Sequence, residues 1–455
     1  MTATPALEQP WVCCANQAVS LQLVDGLTAA SPGGEEGRFY PTYTHQVFSA
    51  EETISGYRGL DILLSYNAST LAVRSRVAYA ERRAEGDGQA AADDLDAPLA
   101  KLLDSVVGGA RADTPEAFAA PRPPIGEPVH SYTRRGADGE EVVFEVRKAT
   151  FGEPAARELN ARITSLLLLF VDGASAVDES DHKWVTFTCY ERRAGGGAPP
   201  RVVGYTTVYP FSAVLPGGVG LVERFRLSQI LVLPPYQRGG HGAELLNCVY
   251  REGAARGSHE VAIEDPGPDM ARCQLSTNAR NAAAAGLLGE ICSFQWDHLT
   301  AFVAAARDAL LLAPPAATAL FELCMLAALD QADTEALRSF RLALKGRLYK
   351  ADEQLQELEV EARKQELSER YEECFERYGE VLAMKRVAAV LATALHGAAT
   401  TGADPAAGAG KQCGKRADLE VDKENEPEAA AAGPPASRLK THHDGHGHWS
   451  AEAKE

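Results

Sequence analysis

The chain has no C-x-x-C pair, no excess of positive charge and no apolar run of membrane-spanning length. Its nine cysteines are odd in number and scattered, with only Cys13 and Cys14 adjacent. That spacing argues against a disulfide framework or a zinc site, and fits reduced thiols in the cytosol or nucleus. A formal net charge of −18 excludes nucleic-acid binding through a broad basic face. The same charge suits a basic partner, or simple solubility, equally well. No N-terminal segment joins a basic flank, an apolar run and a small-residue cleavage site. A soluble intracellular protein is expected, with neither membrane nor metal.

What is present is a chain of 455 residues of ordinary globular composition, long enough for two or three domains. Residues 1–34 read as an extension and 35–150 as an α/β domain. Within that domain, Leu60 to Tyr66 and Thr70 to Tyr79 alternate as strands do. Residues 81–124 turn to Ala, Gly, Asp and Pro and read as an exposed insertion with one short helix, Leu95 to Val107. His130 to Tyr132 and Val142 to Val146 form a hairpin pattern. Residues 151–298 follow the order helix, strands, long strand, Gly-rich loop, helix, short strand, helix. The segment 299–396 is helical, with Leu355, Leu358, Leu367, Tyr371, Cys374, Tyr378 and Leu382 at three- and four-residue steps. Residues 397–455 are disordered in composition. They hold a KEN-like tripeptide at Lys423 and a His-rich tract at His442 to His448, both cheap signals.

The most informative stretch is Ser228 to Leu246. The apolar run Ile230, Leu231, Val232, Leu233 meets two prolines, then Gln237, Arg238, Gly239, Gly240, His241, Gly242 and the helix former Ala243. Glycines let the backbone approach an anion, and the free N–H groups of a helix's first turn point at it. The spacing Gln-x-x-Gly-x-Gly is that of acetyl-coenzyme A-dependent N-acetyltransferases. Similar patterns at Arg83 to Gly88 and Arg193 to Ala198 lack the context, since acids follow the first and prolines the second. A plain strand-to-helix turn is the competing reading.

Phe39 to Tyr79, with its THQ-F-x-x-x-ET-x-x-GY-x-GL string, resembles the N-terminal domain of the type B histone acetyltransferase catalytic subunit. Val203 to Tyr209, Ser228 to Leu246 and Ala262 to Pro266 resemble its catalytic core, and Arg338 to Leu342 its helical C-terminal region. The resemblance implies a mixed α/β fold: a GNAT-type core flanked by an N-terminal α/β domain and C-terminal helices. It implies acetyl-CoA as co-substrate and lysines of the tail of newly made histone H4 as acceptors, with a second core histone after it. It also implies a WD-repeat histone chaperone of the retinoblastoma-binding kind as partner, and residence in nucleus and cytoplasm.

Acetyl transfer needs a neutral amine, whereas a free lysine has a pKa of about 10.4. A carboxylate base is therefore required. The resemblance assigns that role to Glu264, with Asp265 beside it in the turn. Asp172 stands where the family has a supporting glutamate one methylene longer. Ile230, Leu231 and Val232 would offer backbone hydrogen bonds to the pantetheine arm, and Gln237 to Ala243 would hold the pyrophosphate. For the peptide, the resemblance points to Glu51, Glu52 and Thr53, and to Trp184, Tyr209, Pro210 and Phe211. The family prefers Tyr-Asn-Tyr at the last three positions. Two other readings stand beside this one: a GNAT acting on another protein amine, and an acidic histone-binding scaffold without catalysis.

Overall fold

The computed structural model describes residues 11–25, 37–84, 90–104, 111–112, 114–120, 122–136, 139–192, 199–215, 220–288 and 296–397. The KEN-like and His-rich segments, and most of the two weaker glycine patterns, lie outside these residues.

The N-terminal region contains β1 (Val12–Cys14), α1 (Ala15–Ala18), β2 (Val19–Val24), β3 (Arg38–Phe39), β4 (Thr53–Ser55), β5 (Tyr57–Arg58), β6 (Asp61–Asn67), β7 (Val73–Ala78) and β8 (Glu81–Arg82). The helices α2 (Asp96–Asp104) and α3 (Pro115–Ala119) follow. A four-stranded sheet in the order β3-β2-β6-β7 forms its centre. The apolar faces of β2 and β6 are buried as their alternation requires.

The insertion departs from expectation. Leu95, Leu99, Leu102 and Leu103 are all buried, in one core with Leu159, Ile163 and Leu166. Their three- and four-residue spacing is a helical stripe, and an Ala- and Asp-rich background does not stop a stripe from docking.

The central layer is built from β9 (Glu127–Arg135), β10 (Glu141–Thr150), α4 (Pro154–Phe170), β11 (Val185–Arg192), β12 (Arg201–Val214), β13 (Leu221–Val232), α5 (His241–Arg256), β14 (Val261–Ile263) and α6 (Pro268–Ala284). Its six strands lie in the order β14-β13-β12-β11-β10-β9. All neighbours are antiparallel except β13 and β14, which run parallel. Strands β9 and β10 belong to this sheet, so a boundary at 150/151 falls inside it. One face packs on α4 and the N-terminal region through Tyr205, Leu231 and Leu233. The other packs on α5 and α6 through Phe225, Leu227, Leu245 and Val249. The fold is a GNAT-type core with flanking modules.

Six helices complete the chain: α7 (Leu299–Leu310), α8 (Pro314–Ala328), α9 (Thr334–Ala351), α10 (Glu353–Glu357), α11 (Val360–Ala383) and α12 (Lys385–Gly397). Phe321, Phe340, Leu344, Tyr378 and Val381 join the core of α5 and α6. Leu358 falls in the break between α10 and α11 and is exposed, unlike the rest of its stripe. Among the described residues, no helix is long and apolar enough to cross a membrane.

Candidate active site

Strand β13 forks the sheet. It pairs with β12 as far as Val232, but with β14 only from Phe225 to Leu227, closed by Glu264 N–H donating to Leu227 O at 3.0 Å. A bulge between Thr207 and Val208 of β12 leaves Ser228 as the extra residue on β13. The bulge resets which groups face outward. Leu233 N–H donates to Val203 O, so Leu231 also faces β12, while Ile230 and Val232 turn their backbone groups to the open side. Of the three residues expected to offer backbone bonds, two face the fork and Leu231 completes the ladder.

Beyond the fork the chain turns through Pro234–Tyr236 and enters the glycine loop. Arg238 and Gly240 hold φ of 65° and 81°, the left-handed region that at Gly240 costs glycine nothing. Gly239 is needed for another reason. A Cβ there would lie 2.7 Å from His241 Nε2. Among the described residues, no acceptor is found for the N–H groups of Arg238 through Ala243. These donors, at the positive end of a 16-residue helix, form a cradle for an anion.

The His241 side chain turns away from the cradle. It is 5% exposed, packs on Phe144 at 4.6 Å and shares a 2.7 Å hydrogen bond between Nδ1 and the Tyr132 hydroxyl. Burial, reinforced by the Arg134 charge, pushes its pKa down to about 4, so the ring is neutral and structural. Only its backbone N–H can meet a ligand. The Gln237 side chain donates to Val232 O at 3.0 Å and so closes the loop on its own strand.

Strand β9 steadies the cradle from the side. Arg134 donates to Gly239 O at 3.3 Å and to Glu244 Oε1 at 2.7 Å, and His130 meets Glu244 Oε2 at 2.9 Å. Burial alone would raise the Glu244 pKa, but His130 and Arg134 overcome it and hold the carboxyl at about 2. Sequence reasoning missed both residues, because nothing local links β9 to the start of α5.

Glu264 sits at the crotch of the fork. Ser228 Oγ donates to it at 2.6 Å, Arg226 faces it at 3.4 Å, and its side chain is 40% exposed. Asp265 follows with a φ of 36° and turns the chain into Pro266. Strand register puts Trp184, Tyr209 and Arg226 side by side on the same face as Glu264. The Trp184 and Tyr209 rings lie 4.9 Å apart, and the Tyr209 hydroxyl donates to Asp181 at 2.6 Å. That bond raises the Tyr209 pKa and lowers that of Asp181. Phe211 lies further out under Arg224. Pro210 stands beyond the reach of β11, where β12 has one neighbour and a missing N–H is tolerated.

A second group gathers around His45. Its Nε2 lies 3.1 Å from Asp172 and its Nδ1 3.4 Å from Glu52. Glu52, at a φ of 54°, also accepts from Thr44 N at 2.7 Å and from Asn16 Nδ2 at 2.7 Å. Burial would raise its pKa, but these donors lower it. Glu52 is thus tied into its own turn, with Thr53 starting β4 and Glu51 exposed beside it. Asp172 is 67% exposed at the head of the loop leading to β11. Gln229 pins that loop to the sheet through Ser175 O at 2.7 Å. Among the described residues, no group of three or more His, Cys, Asp or Glu is placed to hold a metal ion.

Residues 11–172 match the family model described as "Histone acetyl transferase HAT1 N-terminus". The type B catalytic subunit of Rattus norvegicus is 31% identical over 352 residues, covering 74% of this chain and 80% of that protein. The chain belongs to the type B histone acetyltransferase catalytic subunits. The subunits of Homo sapiens, 30% identical over the same shares, and of Mycosarcoma maydis, 28% identical over 77% of this chain and 83% of that protein, are similar to it as well. Among solved structures, an aminoglycoside acetyltransferase from a soil metagenomic sample matches 28% of the chain and 80% of its own at a TM-score of 0.22 and 13% identity. That likeness is too slight to add to the family assignment. The protein is a histone acetyltransferase, and the fork and cradle are where its chemistry can be placed.

Proposed function

We propose that the enzyme takes acetyl from acetyl-CoA and delivers it to lysine side chains of the N-terminal tail of newly made, free histone H4. The observation that carries this reading is the meeting of three features at one point: an open strand edge, an anion cradle and a surface carboxylate. The cradle fits the pyrophosphate, since its donors are unclaimed and a Cβ at Gly239 would disturb them. Ile230 and Val232 offer outward backbone groups to an extended amide arm, as an added strand would. Bound there, acetyl-CoA supplies a thioester as the acyl donor.

The chain's own groups do the rest. Glu264 accepts the proton of the lysine ammonium, directly or through one water, and so makes the amine a nucleophile. Ser228 and Arg226 fix the carboxylate for this task. An outward N–H of β13 donates to the acyl oxygen as negative charge builds on it. Trp184 and Tyr209 wall the approach and suit the aliphatic stem of a lysine. Asp172, Asp178 and Asp181 line the loop over this face and favour a basic peptide. Asp172 would assist there, its shorter reach being set by His45. A WD-repeat chaperone presenting the histone belongs to the same reading.

The test is transfer of labelled acetyl from acetyl-CoA to free histone H4, assembled nucleosomes and unrelated basic peptides. Strong transfer to free H4 and little to nucleosomes is expected. Equal transfer to all three would favour a GNAT acting broadly on protein amines, and no transfer would favour a scaffold.

A further inference from the structure

Arg280 of α6 is a half-buried arginine without a partner acid. Its guanidinium folds back along its own helix, Nε donating to Ser276 O and Nη2 to Thr277 Oγ1, both at 3.3 Å. Among the described residues, no carboxylate forms an ion pair with it. The acid that bears on its charge is Glu244, which is already held by Arg134 and His130. Burial lowers the Arg280 pKa, and Arg386 of α12 and Arg134 add to the effect. A partly buried cation kept among like charges is costly unless an anion joins it.

Its place in the fold supplies the anion. Helix α6 lies against the first turns of α5. Cys273 Sγ stands 3.3 Å from where a Cβ on Gly242 would be, and Asn281 donates to Asn247 at 2.9 Å. Arg280, one residue before Asn281, therefore flanks the helix whose N-terminus forms the cradle. Arg134 approaches from β9, its Nη2 3.7 Å from a Cβ position on Gly240. In a chain of net charge −18, this flank gathers arginines from three separate elements. Coenzyme A carries, beyond its pyrophosphate, a third phosphate on the 3′ position of its ribose.

We propose that Arg280 forms the subsite for that 3′-phosphate, and so selects coenzyme A over its 3′-dephospho form. The inference rests on the assignment of the cradle to acetyl-CoA. A guanidinium suits a terminal phosphate because it donates in a planar fork that two phosphate oxygens can accept. Once bound, the phosphate would relieve the repulsion Arg280 feels from its neighbours.

Calorimetric titration of the full chain with coenzyme A and with 3′-dephospho-coenzyme A tests this. The wild type is expected to prefer coenzyme A by about 10- to 100-fold, the size of a charge-assisted phosphate contact. In Arg280→Gln the preference should fall to within about threefold. Affinity for the dephospho form should stay at the wild-type level, which shows that the cradle is intact. Arg280→Lys should recover part of the preference. An unchanged preference in Arg280→Gln, or equal binding of both nucleotides by the wild type, overturns the subsite and leaves the cradle standing. Binding of neither nucleotide by the wild type overturns the cradle assignment itself.

Discussion

Replacing Gly239 with alanine separates the shape of the cradle from its chemistry. Gly239 does not hold a left-handed φ, so its backbone accepts a side chain. The obstacle is the His241 ring, at 2.7 Å from the new Cβ through Nε2 and 2.9 Å through Cδ2. That ring cannot yield easily, since the Tyr132 hydroxyl holds it at 2.7 Å and Phe144 covers it at 4.6 Å. Overpacking of this kind costs about 1–3 kcal/mol. The stiffer unfolded chain offsets roughly 0.4–1 kcal/mol of it. The loop is the part free to move, and it carries the donor N–H groups with it. Losing one or two good contacts to a phosphate corresponds to about a 10- to 100-fold weaker Kd for acetyl-CoA, measured by calorimetry. The melting temperature should drop by only a few degrees. The double variant Gly239→Ala/His241→Ala should regain most of the affinity, because the clash is gone. A wild-type Kd in Gly239→Ala would refute this account of the cradle.

Acidification should loosen the same region. His241 is neutral when folded, with a pKa of about 4 against 6.5 for the unfolded chain, so stability is lost as pH falls through that window. The difference of about 2.5 units corresponds to roughly 3 kcal/mol at most. Glu244, held at about 2 against 4.5, adds a loss between pH 4.5 and 2. Denaturant titrations from pH 7 to 4 should show the slope, and His241→Gln should flatten it; an identical slope in the variant would contradict the assignment. Glu52→Ala should destabilise the chain by roughly 1.5–3 kcal/mol in urea unfolding, because Glu52 accepts from Thr44, His45 and Asn16. Unchanged stability with weakened peptide binding would instead make Glu52 a free substrate contact.

The cradle was legible because everything that makes it is local. Strand, glycines and helix start fall within twenty residues, from Ser228 to Leu246, and each has its own short-range reason. Glu264 was legible only through family resemblance, since Glu-Asp-Pro by itself is a turn. The residues that steady the site were not legible. Arg134 and Glu244 are 110 positions apart, and His45 reaches Asp172 from a different sheet. The role of α2 was written in the spacing of Leu95, Leu99, Leu102 and Leu103, but the small and acidic residues around them masked it. The outward turn of Ile230 and Val232, with Leu231 facing inward, depends on one bulge, which no alternation of side chains reveals.

The most direct measurement is the turnover of Glu264→Gln at saturating acetyl-CoA and free histone H4, beside its Kd for acetyl-CoA. Glutamine keeps the shape and the Ser228 contact but cannot take a proton. The expected result is a kcat lower by about 10²- to 10⁴-fold with Kd nearly unchanged, and a loss that shrinks as pH approaches the lysine pKa. A wild-type kcat would remove Glu264 as the base, and with it the fork as the place where acetyl is transferred.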